Sequence, residues 1–577
     1  VTSDPSVPGG VGARSAAFDK LTLDGAFGPE HSGRGELGSK PMPRDSRGEL
    51  TAESLTRSPL LLPALVPMVF GMVILALAPL HNYLTFTVEI DFPRYADHAS
   101  SLSRVLTWEQ FVPLGYPFLL WLLSKLGISL FAAGQILAAL SAVVCLVLVY
   151  ALARIFLPPG PAVLAQVFCA ANWHFAQYGI LCGTDLPWTT LELASFVLLF
   201  RALRHADLEA PLLAGLAAGF AYDLRYQALI ALPWMAVFMA IAPNSKKSRI
   251  KGALGAIMLV LGFFAAASPQ LALNLSQQHA LFPTGHAKNI WMGMHGEGNW
   301  AQNWAEADQH DNLLEIIEQD KERFLHHWTR EAAILALRLP LLALGIQPVL
   351  ITLEPGPKLR LIFFFILAIL GLGILAGLAW QPGRLRARLL SAPAFFLIGY
   401  TVLYGATVSM AFTSFPFLLP LLPIVTLPLV KGTLWFQPAG ARKFLTSAFL
   451  ALTMALFSTW GFEVTLERFQ CRVKEVEESL VPQGEAAEIN ILSNRAGLYR
   501  FHLPYQWMQL PLFVQTPQEL QKFALSNQIP YLLFEQAHSR SREAENWPEL
   551  KEWVFKEKAL YEREGYPALI LMEIPKN

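Results

Sequence analysis

Long apolar runs separated by short polar breaks fill most of the chain, and the last hundred or so residues change to a mixed pattern. Runs of about twenty apolar residues are long enough to cross a bilayer as helices. The pattern predicts spans near residues 61–80, 129–156, 161–180, 185–203, 253–273, 361–380, 391–410, 416–430 and 443–461. The stretch 211–242 is broken at Tyr222-Asp223-Leu224-Arg225-Tyr226-Gln227. A charged pair in mid-lipid is costly, so two short spans are predicted there, with Arg225 at the membrane surface. Gly115-Tyr116-Pro117-Phe118-Leu119-Leu120-Trp121 is too short and too aromatic for a crossing and reads as an interfacial helix. Arg338, Pro340, Gln347 and Pro348 interrupt 332–353, which is read as interfacial or re-entrant. That choice leaves Arg384, Arg386 and Arg388 on the same side as Lys246, Lys247, Arg249 and Lys251, as the inside excess of Lys and Arg requires. About eleven crossings result.

Three regions follow. Residues 1–57, rich in Gly, Ser and Pro, are expected to be disordered. Residues 58–461 form the membrane domain, with large polar loops over 81–128 and 274–359 on the side opposite the lysine- and arginine-rich turns. Residues 462–577 alternate strand-like runs (489–492, 531–534, 568–574) with helical ones (517–526, 548–558), the pattern of a small α/β domain. The N-terminus is then cytoplasmic and the C-terminal domain extracytoplasmic.

Composition agrees: 54% hydrophobic and 15% charged, where soluble proteins carry about a quarter charged residues. Lys+Arg and Asp+Glu balance at 44 each, so nothing in the total charge argues for a nucleic-acid partner and any steering comes from local clusters. Four cysteines are too few for a disulfide scaffold.

The chemistry concentrates at one face. Glu89-Ile90-Asp91-Phe92-Pro93-Arg94-Tyr95-Ala96-Asp97-His98 follows the first span and sets carboxylates, an arginine and a histidine where they meet both headgroups and soluble substrates. A polar connection with snorkelling anchors has the same composition. Asp185 heads the fourth span, where an acid also favours the helix dipole. The stretch Phe282 to Trp300 combines glycines, aromatic rings, Lys288, Asn289, Trp291 and two histidines, and reads as a mobile loop able to stack on a sugar and meet a phosphate, or as a lid packed on the interface.

In this order and spacing, Asp91 with Tyr95 and Ala99, Gly115-Tyr116-Pro117, Thr184-Asp185, Gly215 through Arg225-Tyr226, and Asn289-Ile290-Trp291-Met292-Gly293 with Trp300 resemble the polyprenyl-phosphate-dependent glycosyltransferases of the GT-C fold. The branch resembled is that of protein O-mannosyltransferases and lipid A aminoarabinose transferases, over roughly residues 61–535. The resemblance implies an inverting sugar transfer from a polyprenyl-phosphate donor to a lipid, glycan or protein acceptor in a bacterial inner membrane. Asp91 would be the catalytic carboxylate and Asp185 a second acid orienting the acceptor. A departing phosphate needs cations and an acceptor hydroxyl needs a base. Arg94, Arg225 and Lys288 are the candidate phosphate partners, with Glu89, Tyr95, Tyr226, Asn289 and Trp291 as further binding residues. A divalent metal would draw on Glu89, Asp91 or His295. Two positions depart from the family: Phe92 stands where an acid is common, and Thr413-Ser414-Phe415-Pro416 replaces an Arg-Tyr pair ahead of the late proline-rich span. These departures favour the alternative, a catalytically silent GT-C-like scaffold in a larger membrane complex. A transporter fits less well, because the ionisable residues do not line a midplane path.

Overall fold

The computed structural model describes residues 61–81, 92–109, 111–205, 207–242, 246–282, 286–295, 306–307, 309–310, 312–345, 392–411, 413–435, 476, 478, 489–494, 496–499, 503, 505–511, 514–535, 547–556, 561–563 and 569–575. All of them belong to the second of two units, Thr56–Asn577. The expected disordered segment 1–57, the spans 361–380 and 443–461, Glu89, Asp91 and Trp300 lie outside the described residues.

The membrane domain is helical, as its apolar runs require. Its elements are α1 (Leu61–His81), α2 (Phe92–His98), α3 (Gly115–Lys125), α4 (Leu130–Phe156), α5 (Pro159–Ala170), α6 (Trp173–Ile180), α7 (Asp185–His205), α8 (Glu209–Leu224), α9 (Ala231–Ile241), α10 (Lys246–Gln278), α11 (His286–His295), α12 (Lys321–Leu344), α13 (Ala392–Val408) and α14 (Leu422–Trp435). Among the described residues, α4, α7 and residues 249–278 of α10 are long and apolar enough to cross a membrane.

Three expectations are corrected. The span 161–180 is two helices, because Asn172 ends one and caps the next. Its Oδ1 accepts from the His174 backbone N–H at 3.0 Å, and its amide donates to the Leu342 carbonyl at 2.7 Å. The interruption foreseen in 332–353 is absent up to Leu344, where α12 runs on through Pro340 and stops at Gly345. Gly345 has φ 69°, and a Cβ there would lie 2.9 Å from the Trp173 nitrogen, so the stop and the break in the earlier span share one contact. Third, the stretch expected to be a mobile loop contains α11, a regular helix over His286–His295.

Helix pairing relies on small residues, since lipid offers no hydrophobic drive to bring apolar helices together. On α8 and α10, a Cβ at Gly215 would collide with the Leu259 carbonyl oxygen, and one at Gly262 with that of Leu212. Gln166 adds polar anchoring, its amide donating to the Leu146 carbonyl at 2.9 Å and to that of Pro63 at 3.2 Å.

The C-terminal region carries a five-stranded sheet of β1 (Asn490–Ser493), β2 (Gln506–Gln509), β3 (Tyr531–Glu535), β4 (Tyr561–Arg563) and β5 (Leu569–Glu573), in the order β2-β1-β3-β5-β4. β1 pairs parallel with β2 and β3, while β5 pairs antiparallel with β3 and β4. Strand alternation sends Leu492, Leu532 and Ile570 to one core and Ile491, Leu533 and Leu571 to the other. α15 (Pro517–Ser526) starts with a full capping box between Thr516 and Glu519, and α16 (Pro548–Val554) packs against it. The short helix Ala496–Tyr499 rests on α2, joining this region to the segment that follows the first span.

The α8–α10 contact yields a direct expectation. Gly215→Leu should lower the thermal unfolding midpoint of the detergent-solubilised protein, at an overpacking cost of about 1–3 kcal/mol. An equal substitution at Gly160, which meets no atom within 4 Å, should leave the midpoint unchanged.

Candidate active site

The site grows from the end of α8. Arg225 adopts extended backbone (φ −150°, ψ 127°) between α8 and the tight 3-10 turn Tyr226–Ile230, so the hairpin breaks where the sequence places its charge. Its guanidinium is buried. Nη2 meets Asp185 Oδ1 at 2.8 Å, and Nε donates to Thr184 Oγ1 at 2.7 Å. Its planar face lies 5.7 Å from the Trp188 ring and 5.6 Å from that of Phe417, contacts that favour a weakly hydrated guanidinium over an ammonium. Asp185 begins α7, where the dipole also favours its charge. The Tyr95 hydroxyl stands 3.4 Å from Thr184 Oγ1, either able to donate, and its ring meets Tyr116 edge-on at 5.2 Å.

Beside this pair runs an amide ladder on α10. Gln270 Oε1 accepts from the Leu114 backbone N–H at 2.7 Å, while Nε2 lies 3.1 Å from the Tyr226 hydroxyl and 2.7 Å from Asn274 Oδ1. The Asn274 amide in turn donates to the Tyr222 hydroxyl at 3.3 Å. Tyr226 also reaches the Glu109 carbonyl at 3.4 Å. Sequence reasoning missed Gln270 and Asn274, although two amides four residues apart near the end of an apolar run were a visible signal. It also passed over Glu192 and read Asp223 only as half of a charged pair, and both carboxyls are buried. Glu192, seven residues after Asp185, accepts from the Tyr400 hydroxyl at 2.8 Å, and Asp223 is only 5% exposed.

The expected residues therefore divide. Tyr95, Asp185 and Arg225 come together, with Tyr226 alongside. Arg94 is 53% exposed and faces Glu109 at 4.0 Å. Lys288, Asn289 and Trp291 sit on α11, whose buried residues form a separate cluster with Ile316 and Phe324. There Trp291 stacks on His295 at 3.9 Å and on His310 at 5.1 Å. Burial pushes the His295 imidazole below its usual value, its bond to the Trp291 carbonyl opposing the shift.

Among the described residues, no three His, Cys, Asp or Glu side chains stand together to hold a metal ion. His295 has Nδ1 3.2 Å from the Trp291 carbonyl and its ring covered by the indole, which does not suit an open metal ligand.

The two family departures have structural explanations. Phe92 is fully buried and lies against Gly134, where a Cβ would come within 2.8 Å of its ring. Thr413 is fastened by α12: its N–H and hydroxyl donate to Glu331 Oε2 at 3.0 and 2.7 Å, and Arg338 donates to the same hydroxyl at 3.3 Å.

A helical membrane protein with a buried acid, arginine and tyrosine site at the junction of two helix ends is the class that these features define. Residues 112–272, which supply α3 through most of α10 and hence Asp185 and Arg225, match the family model described as Dolichyl-phosphate-mannose-protein mannosyltransferase. Over that segment the chain is similar to the glycosyltransferases which that family model describes. Similar solved structures include ArnT from Cupriavidus metallidurans bound to undecaprenyl phosphate, at 12% identity and TM-score 0.47, covering 87% of this chain and 98% of that one. The apo oligosaccharyltransferase of Archaeoglobus fulgidus matches at 12% identity and TM-score 0.46, over 84% and 70% of the two chains. Oligosaccharyltransferase AglB from the same organism, in complex with an inhibitory peptide and a dolichol-phosphate, matches at 12% and 0.42, over 81% and 69%. No curated protein matches the chain.

Breaking one half of a buried pair leaves an uncompensated charge. Asp185→Ala should destabilise the protein by about 3–5 kcal/mol in a thermal or denaturant melt. Asp185→Asn combined with Arg225→Gln should recover much of that loss, because neither charge is then stranded; equal melts for the single and double variants would exclude this coupling.

Proposed function

We propose that the protein transfers a sugar from a polyprenyl-phosphate donor to a lipid, glycan or protein acceptor at the membrane surface. The observation that carries the reading is the Arg225 guanidinium, buried between Trp188 and Phe417 and aligned by Asp185 at the break of the α8–α9 hairpin. A fixed cation beside an apolar interior suits a phosphate whose chain lies in lipid, because its charge is met without reorganisation. The lysine- and arginine-rich turns support a reading in which this end faces the extracytoplasmic side of a bacterial inner membrane, with the C-terminal α/β domain on the same side.

The step is an inverting displacement. The acceptor hydroxyl gives its proton to the Asp91 carboxylate while its oxygen bonds to the anomeric carbon from the face opposite the phosphate. The carbon–phosphate-oxygen bond breaks, and the polyprenyl phosphate leaves with its electron pair opposite Arg225. Asp185 acts on this step through Arg225, holding the guanidinium in place. Arg94, exposed beside Glu109, serves as an outer contact for the entering headgroup. Lys288, Asn289 and Trp291 act on the acceptor side with α11, and the α/β domain, resting on α2, helps to choose the acceptor.

Envelope lipids, glycans and glycoproteins from cells with the wild-type protein, with Asp91→Asn and with no protein should be compared by mass spectrometry. A hexose- or pentose-sized addition should appear with the wild type and fall by about a hundredfold or more with Asp91→Asn at equal membrane abundance. Three matching envelopes would favour the silent scaffold, for which the burial of Phe92 is the specific support.

A further inference from the structure

Asp223 stands apart in the charge arrangement of the site. Arg225 is matched by Asp185 at 2.8 Å, and Glu109 faces Arg94 at 4.0 Å. Asp223 is 5% exposed, and its Oδ1 has no hydrogen-bond partner among the described residues. A carboxyl oxygen buried in this way costs free energy unless a donor arrives to meet it. Its place is fixed on two sides. It occupies the last turn of α8 between Tyr222 and the break at Arg225. The start of α3 comes flush against it, since a Cβ at Gly115 would lie 2.6 Å from the Asp223 carbonyl oxygen and 2.9 Å from its Cβ. The rings of Tyr222 and Tyr226 stand 5.4 Å apart on the same turn, and the Tyr95–Tyr116 pair adjoins through α3.

A phosphate is drawn to Arg225 and repelled by a second carboxylate, so Asp223 does not suit the phosphate itself. What suits an unanswered carboxyl oxygen is a ligand group with N–H or O–H to give. Asp223 and Arg225 are two residues apart, their Cα atoms separated by at most about 7 Å, so a donor whose phosphate meets Arg225 brings its sugar ring to the same turn of chain as Asp223. We propose that Asp223 is the sugar-reading residue of the donor site, its carboxyl accepting hydrogen bonds from a hydroxyl or ammonium group of the transferred sugar. This rests on the polyprenyl-phosphate reading of the same site.

The test uses the full chain in lipid nanodiscs and measures the affinities of three probes: undecaprenyl phosphate, undecaprenyl-phosphate mannose and undecaprenyl-phosphate aminoarabinose. Wild type should bind at least one sugar-bearing lipid more tightly than the bare phosphate. A preference for mannose would identify hydroxyl donors, and one for aminoarabinose an ammonium. Asp223→Ala should remove that preference, a loss of about tenfold or more, and leave the bare-phosphate affinity within about twofold. Asp223→Asn keeps the shape of the side chain and should lose an ammonium preference fully and a hydroxyl preference in part, which covers the case of an alanine variant that does not fold. Arg225→Ala should weaken all three probes. Bare-phosphate binding that depends on Arg225, with no sugar preference in the wild type or with one that survives both Asp223 variants, overturns this inference alone. Binding of none of the three lipids by the wild type overturns it together with the proposed function.

Discussion

An arginine inside a membrane protein must be answered, and much of this fold can be read as the answer to Arg225. The ion pair with Asp185 fixes the start of α7 against the end of α8; Thr184 occupies a second guanidinium edge, and Trp188 and Phe417 cover its faces. Desolvating two charges is expensive, and the attraction between them repays it only with good geometry and further hydrogen bonds. Both are present. The pair therefore ties three parts of the chain that are distant in sequence to one point and sets the direction of the guanidinium.

The surrounding helices are built to keep that point still. α8 and α10 touch through glycine backbones, so neither can roll without a collision. The Gln270–Asn274 ladder then fixes their polar ends by bonding Tyr226, Tyr222 and the Leu114 backbone. Glycine contact sets the distance between the helices, and the amides set their register. Rigid supports of this kind suit catalysis by positioning, in which small displacements are costly.

Most helix positions were legible because apolar length is a strong signal, and Asp185 and Arg225 stood out as charges next to lipid-length runs. Their direct contact was not legible, since forty residues separate them in sequence. Asn172 was missed as a break because one amide in an apolar run looks like a tolerated polar residue, whereas here it caps a helix and holds the end of α12. Strands β2 and β4 escaped because edge strands need not bury both faces, and Gln506-Trp507-Met508-Gln509 has no clear alternation. The glycines and histidines around α11 suggested a loop, yet its helix is secured by Trp291, Met292 and Met294 packing inward, a contribution from tertiary contacts that composition does not reveal. Asp223 was read as part of a charge break; both it and Arg225 are buried, and what separates them is that Arg225 meets Asp185 and Thr184 while Asp223 Oδ1 meets no donor among the described residues.

α12 makes a row of bonds to other segments from positions four, four and then seven residues apart: Arg323 to the Met294 carbonyl at 3.0 Å, His327 to that of Ala411 at 2.7 Å, Glu331 to Thr413, and Arg338 to the same threonine. One helix face thus grips α11 at one end and, at the other, the turn leading to Phe417, the ring beneath Arg225. In mechanical terms α12 is a rack with both parts engaged on it. A displacement of α11 is therefore carried along α12 to the turn beneath the cation, although α11 itself is not among the residues that cover the guanidinium.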